Sequence, residues 1–178
     1  MRLFWALPAP DAFRAWMAAL QGELRHRVPG ARLADARQAH LTLCFLGEVE
    51  AARLPALLEA GRRALAGLPT LELEGTGWMA FPRPERARVL AVGVTPDTRL
   101  LEAHARLGRA MSAFAELEDR TFRPHLTLAR FKEPARLPDL PELPPAPRWR
   151  AARVVLFRSD LAPVGATHTA LEEVALGG

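Results

Sequence analysis

The chain of 178 residues contains no tyrosine, isoleucine or asparagine, and Cys44 is its only cysteine. A single cysteine excludes an intramolecular disulfide, so the packed core has to hold the fold together. We expect Cys44 to be a small residue of the core or of a cleft wall rather than a nucleophile. With 49% hydrophobic and 25% charged residues, the composition is typical of an ordinary globular protein that buries a sizeable core.

Long apolar runs are also missing. No stretch reaches the roughly 18 apolar residues that a membrane-spanning helix needs. The apolar residues 1–8 are too short for a signal peptide and lack a cleavage-like sequel, so they are better explained as a first strand. We therefore expect a cytoplasmic protein that does not act at a membrane.

Lysine is almost absent: Lys132 is the only lysine among 24 basic residues, and the formal net charge is +4. An excess of arginine suits phosphate recognition, because the guanidinium group binds phosphate oxygens through two parallel hydrogen bonds. A GC-rich genome would supply the same bias. The arginine content therefore does not identify a function by itself.

The tetrapeptide His-Leu-Thr-Leu occurs twice, at residues 40–43 and 125–128. On average residue usage, such a tetrapeptide is expected on the order of 0.01 times in a chain of this length, so the second copy is not a chance match. In a strand, residues i and i+2 share one face. The two leucines of each copy would therefore make a core face, and its histidine and threonine would make a polar face.

The surrounding pattern alternates strands with helices, and each motif strand follows a long helix. This organisation predicts an α+β fold in which two pseudo-symmetric lobes of mainly antiparallel sheet, with flanking helices, surround a central cleft. We expect residues 1–178 to form one domain of two lobes. The expected strands are 2–8, 38–46, 71–81, 89–94, 125–131, 149–158 and 167–175, and the expected helices are 11–27, 50–66 and 98–115.

Two His-x-Thr faces across one cleft suit the hydrolysis of a phosphodiester. One histidine can accept a proton from water while its partner protonates the leaving oxygen, because imidazole titrates close to neutral pH. Short hydroxyl donors such as Thr42 and Thr127 can bind the non-bridging oxygens, on which charge builds in the transition state. This chemistry requires no metal, and a zinc site built on His40 and His125 would lack a third ligand.

The other histidines are weaker candidates. His104 lies on an apolar helical face and His26 near a helix end, so we expect both to be structural. His168 stands in the sequence Thr-His-Thr, which lacks the full tetrapeptide, and it remains a candidate for substrate contact.

These residues resemble the two-histidine (2H) phosphoesterases, and specifically the RNA 2′,3′-cyclic phosphodiesterases, also called 2′-5′ RNA ligases. The likeness covers nearly the whole chain. Its matching pieces are residues 2–7, residues 40–43 with 45–49, residues 122–130, and residues 156–159 with Pro163 and Gly165.

The resemblance implies an enzyme without metal or cofactor that opens a terminal 2′,3′-cyclic phosphate on RNA to a 2′-phosphomonoester. It also implies reversible joining of 2′-5′ linkages in tRNA-like substrates such as tRNA halves, and it suggests no obligate protein partner. By the same resemblance His40 would be the proton donor, His125 the proton acceptor, and Thr42 and Thr127 the phosphate-binding hydroxyls. The residues alone do not distinguish the two histidine roles, because the motif is symmetric.

Four further residues are candidates for substrate binding. We expect Arg130 to lie near the phosphate or nucleotide, with Arg123 as a weaker candidate. Phe45 is a candidate platform on which a base could stack. By alternation, however, it shares the face of the motif leucines, so we expect it in the core. Relatives often carry a tyrosine near the last strand, where this chain has His168, so we expect its preference among substrates to differ.

Two other functions stay open. The same centre could act mainly on another substrate, such as a 2′-5′ oligoadenylate or ADP-ribose cyclic phosphate. The fold could also serve as an RNA-end-binding module with little catalysis, although both tetrapeptides are intact.

Overall fold

The structure is a computed structural model, and it describes residues 1–118, 120–162 and 165–177. Pro163, one of the residues that carry the resemblance, lies outside them. The helices are α1 (Asp11–Arg27), α2 (Leu54–Leu65) and α3 (Thr98–Met111). The strands are β1 (Arg2–Pro8), β2 (Ala31–Leu33), β3 (His40–Glu48), β4 (Leu71–Leu73), β5 (Gly75–Phe81), β6 (Ala87–Val94), β7 (His125–Ala135), β8 (Trp149–Ala151), β9 (Arg153–Ala162) and β10 (Gly165–Ala175).

The strands form two four-stranded sheets and one two-stranded ribbon. The first sheet has the order β10-β9-β1-β3, the second has the order β2-β7-β6-β5, and the ribbon joins β4 to β8. Each of these neighbouring strands pairs antiparallel. One motif strand therefore lies in each sheet, and the predicted α+β class with mainly antiparallel sheets is confirmed.

Two predicted strands are each divided in the structure. The expected strand 71–81 breaks at Glu74, because its first part pairs with β8 and its second part pairs with β6. The expected strand 149–158 breaks at Ala152 for the same reason, since β8 joins the ribbon while β9 joins the first sheet. Residues 136–148, which are rich in proline, form no helix or strand, as a stiff surface connection would.

Helices α2 and α3 cover one face of the first sheet. The Trp5 ring is fully buried there, and its Nε1 donates a hydrogen bond to Sδ of Met111 at 3.3 Å. Gly61 on α2 passes directly over the ring, where a Cβ atom would have no room. Phe4 and Ala6 point to the other face, because side chains alternate along β1. That other face is left for the functional site. No helix of the described chain has the length and apolar character needed to cross a membrane.

Candidate active site

The two motif strands come together between the sheets. Strands β3 and β7 are in contact. The four motif leucines are all buried, with at most 2% of their surface exposed, whereas both histidines and both threonines are only half-buried. The predicted division into a core face and a polar face is therefore confirmed at both copies. We call the surface between the two polar faces the cleft; its central residues are His40, Thr42, His125 and Thr127.

The ring of each motif histidine is hydrogen-bonded to the backbone carbonyl of the residue two positions upstream. Nδ1 of His40 lies 2.7 Å from the carbonyl oxygen of Gln38, and Nδ1 of His125 lies 2.7 Å from the carbonyl oxygen of Arg123. A carbonyl oxygen only accepts, so each Nδ1 carries a proton and donates it. When the ring is neutral, Nε2 is consequently unprotonated and available to take a proton. The two halves of the site fix the same tautomer by the same contact, two residues upstream.

The environment of the cleft favours neutral imidazole rings. Burial lowers the pKa of His40 to about 4; the Gln38 carbonyl opposes the shift, and the charges of His168, Arg130 and His125 add to it. The His40 ring is thus neutral in the free protein near pH 7, and a bound phosphate anion would oppose these effects by stabilising the protonated form.

The second motif histidine shows the same direction of shift. Burial lowers the pKa of His125, and the charges of Arg130 and Arg123 add to the shift, while the hydrogen bond to the Arg123 carbonyl opposes it. Arg130 is therefore close enough to influence both motif histidines. Its position follows from an irregularity that both motif strands share.

A β-bulge follows the threonine of each motif. In β3 the partners of Thr42 and Cys44 are consecutive residues of β1, so the leucine between them is the extra residue. In β7 the partners of Thr127 and Ala129 are consecutive residues of β6, and again the leucine between them is extra. A bulge of this kind shifts the alternation by one residue.

The bulges return one further side chain of each strand to the cleft face. Phe45 lies opposite Phe4, and Phe4 shares a face with Ala6, the partner of Thr42. Directly opposite residues project to the same side, so Phe45 joins Thr42 in the cleft. In the same way, the register of β7 against β6 places Arg130 on the face of Thr127, in the cleft. Phe45 is 42% exposed, and the prediction that it lies in the core is wrong because the bulge interrupts the alternation.

Helix side chains form hydrogen bonds to the carbonyl groups of the two bulge leucines. The carbonyl oxygen of Leu43 accepts a hydrogen bond from Nδ1 of His104, on α3, at 2.7 Å. The carbonyl oxygen of Leu128 accepts from Nε2 of Gln21, on α1, at 3.0 Å and from the backbone N–H of Ala34 at 2.8 Å. One helix side chain therefore stabilises each bulge, and the predicted structural role of His104 agrees with this contact.

Arginine and phenylalanine side chains surround the histidines. The ring of Phe81 packs against His125 with centroids 4.5 Å apart, and the guanidinium group of Arg123 lies over the Phe81 ring at 4.6 Å. Arg2 lies over the ring of Phe45 at 4.7 Å. Arg123 is thus one ring removed from the second motif histidine, whereas Arg130 projects into the cleft directly.

His168 lies beside the first motif histidine. Its ring meets the ring of His40 edge-on at 5.2 Å, and the ring of Phe4 contacts both, at 5.0 Å and 4.9 Å. The Gln38 side chain fixes this arrangement, because its Oε1 accepts from the His168 backbone N–H at 2.7 Å and its Nε2 donates to the Ala166 carbonyl at 3.3 Å. Nδ1 of His168 is buried without a hydrogen-bond partner.

Several residues of the site were not predicted as site residues from the sequence. Phe4, Phe81, Gln38 and Gln21 reach the cleft or its bulges only through long-range pairing. Cys44 is buried, and burial raises the pKa of its thiol to about 11, in agreement with the expected role as a wall residue. Within residues 1–118, 120–162 and 165–177, no three His, Cys, Asp or Glu side chains converge on a point where a metal ion could bind.

Comparison with known proteins gives the site a family context. Residues 9–163 match the 2′-5′ RNA ligase superfamily. The RNA 2′,3′-cyclic phosphodiesterase of Thermus thermophilus is 34% identical over 100% of this chain and 91% of its own length. The RNA 2′,3′-cyclic phosphodiesterase of Escherichia coli is also 34% identical, over 98% of this chain and 96% of its own.

Solved structures have the same fold. The crystal structure of TT0787 from Thermus thermophilus has a TM-score of 0.89 at 31% identity and covers 100% of this chain and 99% of its own. The crystal structure of Escherichia coli LigT complexed with 3′-AMP has a TM-score of 0.85 at 26% identity, over 99% of this chain and 98% of its own.

Proposed function

Because this chain belongs to the 2′-5′ RNA ligase superfamily, we propose that it is an RNA 2′,3′-cyclic phosphodiesterase, which hydrolyses the terminal cyclic phosphate of RNA to a 2′-phosphomonoester. The observation that carries this proposal is the pair of imidazole rings, each with Nδ1 bound to a backbone carbonyl and Nε2 left for proton transfer. Such a pair supplies a base and an acid to one phosphodiester.

In the reaction, Nε2 of His125 accepts a proton from water as the water oxygen forms a bond to phosphorus. The bond from phosphorus to the 3′ oxygen breaks, and Nε2 of His40 donates its proton to that oxygen. The assignment of His40 as the proton donor rests on the family resemblance. Its pKa of about 4 in the free protein means that the bound phosphate has to stabilise the protonated ring before it can donate. Afterwards His125 is protonated and His40 is neutral, and proton exchange with solvent restores the starting protonation state of both rings.

The other cleft residues bind the substrate. The hydroxyl groups of Thr42 and Thr127 donate hydrogen bonds to the non-bridging oxygens, and the guanidinium group of Arg130 neutralises the charge that builds on them. Phe45 offers a partly exposed ring for stacking against a base, and the half-buried ring of His168 beside His40 offers a contact to the terminal nucleotide. Arg123, whose guanidinium group lies over the Phe81 ring beside His125, stays the weaker candidate for contact with the substrate.

Both sheets are needed for this chemistry, so we propose that residues 1–178 act as one domain with two lobes. The same acid–base pair run in reverse would join RNA ends through a 2′-5′ linkage. That the substrate ends derive from tRNA halves, and that the enzyme works in the cytoplasm, remain predictions.

A defined oligonucleotide ending in 2′,3′-cyclic phosphate tests the proposal. With EDTA present, we expect the purified protein to open the ring and to form only the oligonucleotide with a terminal 2′-phosphate. Absence of ring opening would contradict the assigned activity, and a 3′-phosphate product would contradict the assigned leaving oxygen. A 2′-5′ oligoadenylate and ADP-ribose cyclic phosphate, assayed in parallel by kcat/KM, test the two alternative substrates.

A further inference from the structure

Arg32 lies on the edge strand of the second sheet and faces the cleft. Strand β2 pairs antiparallel with β7, and Arg32 is the direct partner of Arg130. Side chains of directly opposite residues project to the same side of a sheet. Since the bulge places Arg130 on the face of Thr127, the Arg32 side chain lies on that face as well. The pairing therefore puts two guanidinium groups side by side at one edge of the cleft.

The Arg32 side chain also reaches the opposite sheet. Its guanidinium group occupies the space that a Cβ atom at Gly165 would require, and Gly165 has a φ of +141°. Gly165 is the first residue of β10, three residues before His168, whose ring packs on His40. Arg32 consequently spans the edge of the cleft, from the strand of the second motif to the hairpin beside the first motif.

The two neighbouring cations favour an anionic ligand. The charge of Arg32 adds to partial burial in lowering the pKa of Arg130, which shows that the two groups repel each other. Among the described residues no carboxylate forms an ion pair with Arg130. A phosphate bound beside Arg130 would be attracted by both guanidinium groups.

The scissile phosphate alone does not account for both arginines. It has to lie between the two motif histidines, within reach of Arg130, which influences both rings. Arg32 is one strand further out, on the side away from β6. The guanidinium group of Arg32, one strand further from the scissile phosphate, is placed to bind a second negative group of the same substrate.

We propose that Arg32, together with Arg130, forms a second phosphate subsite, which binds the phosphodiester linkage immediately preceding the terminal cyclic phosphate. This inference rests on the proposed function and deepens it: Arg32 would recognise the linkage that precedes the RNA end, so cyclic mononucleotides, which lack that linkage, should be poorer substrates. The guanidinium fork suits such a linkage because it can bind two phosphate oxygens at once.

The test compares two dinucleotides that end in 2′,3′-cyclic phosphate, one with a natural internal linkage and one with an uncharged methylphosphonate linkage. Adenosine 2′,3′-cyclic phosphate is the third substrate. For the unmodified protein we expect kcat/KM to be about tenfold higher on the natural dinucleotide than on the methylphosphonate, as one charge-assisted contact would give. In Arg32→Gln this ratio should fall severalfold, with only Arg130 left beside the linkage.

Arg109→Gln is the matched control, because Arg109 lines a groove between α2 and α3, on the opposite face of the first sheet, and its loss should leave the ratio unchanged. If Arg32→Gln slows all three substrates equally and keeps the ratio, Arg32 only supports the β10 hairpin and the subsite is refuted. Equal turnover of both dinucleotides by the unmodified protein would also refute it. Failure to open any of the three rings would instead refute the proposed function, so the two failures are distinguishable.

Discussion

Phe45 and Arg130 hold equivalent places in the two halves of the site. Each is the third residue after its motif threonine, and each returns to the cleft face because the intervening leucine is the extra residue of a bulge. The two halves are otherwise closely matched, down to the Nδ1 contact of each histidine. An apolar ring at one place and a cation at the other therefore break the symmetry where the acid and the base have to differ.

Arg130→Gln should lower kcat/KM for a cyclic-phosphate oligonucleotide by about 10- to 100-fold, because a charge-assisted contact to the phosphate is worth about 1.5–3 kcal/mol. Arg130→Lys should recover only part of this loss, since an ammonium group cannot bind two oxygens in the plane of a fork. Arg109→Gln serves as the control. Full activity in Arg130→Gln would remove this residue from the phosphate site.

Phe45→Leu should raise KM and leave kcat nearly unchanged. Stacking of a base on an aromatic ring is worth about 1–3 kcal/mol, which corresponds to at least a fivefold change in KM. Phe45→Trp should keep the unmodified KM, because the indole ring offers the same stacking surface. A lower kcat at constant KM would mean that Phe45 acts on the chemistry and not on binding of the base.

Gln21→Met should impair the second half of the site from a distance. The Leu128 carbonyl would lose one of its two donors and the Ala34 carbonyl would lose its contact with Gln21, so we expect the protein to lose about 1–3 kcal/mol of stability in urea denaturation. The bulge would also hold Arg130 less firmly, and kcat should fall severalfold. Glu23→Gln, an exposed change on the same helix, is the control. A stability loss with no change in kcat would show that the contact supports only the fold.

The pH dependence of kcat/KM should peak below pH 6.5, the ordinary pKa of histidine. The pKa of His40 is about 4 and that of His125 is also lowered, so molecules with one protonated and one neutral ring are most abundant between these two values. As pH rises above the higher value, the pair of rings loses its last proton and the rate falls. The alkaline limb of kcat should lie at higher pH than that of kcat/KM, because the bound phosphate stabilises the protonated ring. An alkaline limb of kcat/KM above pH 7 would contradict the burial of the two rings.

The core of the site could be predicted from the sequence because the strand period is local. Alternation along each tetrapeptide assigns the histidine and threonine to one face and the leucines to the other, and no partner strand has to be known. The same reasoning fails one residue later. Neither Cys44 nor Ala129 marks a bulge in the sequence, so the alternation placed Phe45 in the core.

The remaining differences depend on distant partners. The strand expected over residues 71–81 divides because its two parts pair with different strands far along the chain. The contact between His168 and His40 likewise depends on Gln38 binding the backbone of β10. Such choices follow from packing of the whole molecule, and a pattern in one segment does not contain them.

The central claim is that His40 and His125 act as one acid–base pair, and the rates of single and double variants test it most directly. With a 2′,3′-cyclic phosphate oligonucleotide, His40→Ala and His125→Ala should each lower kcat by about 10²–10⁴-fold. The double variant should be little slower than either single variant, because residues that act as a unit are not additive. His26→Ala, at an exposed position near the end of α1, should retain full activity. Losses in the two single variants that multiply in the double variant, or full activity in either single variant, would contradict a shared catalytic pair.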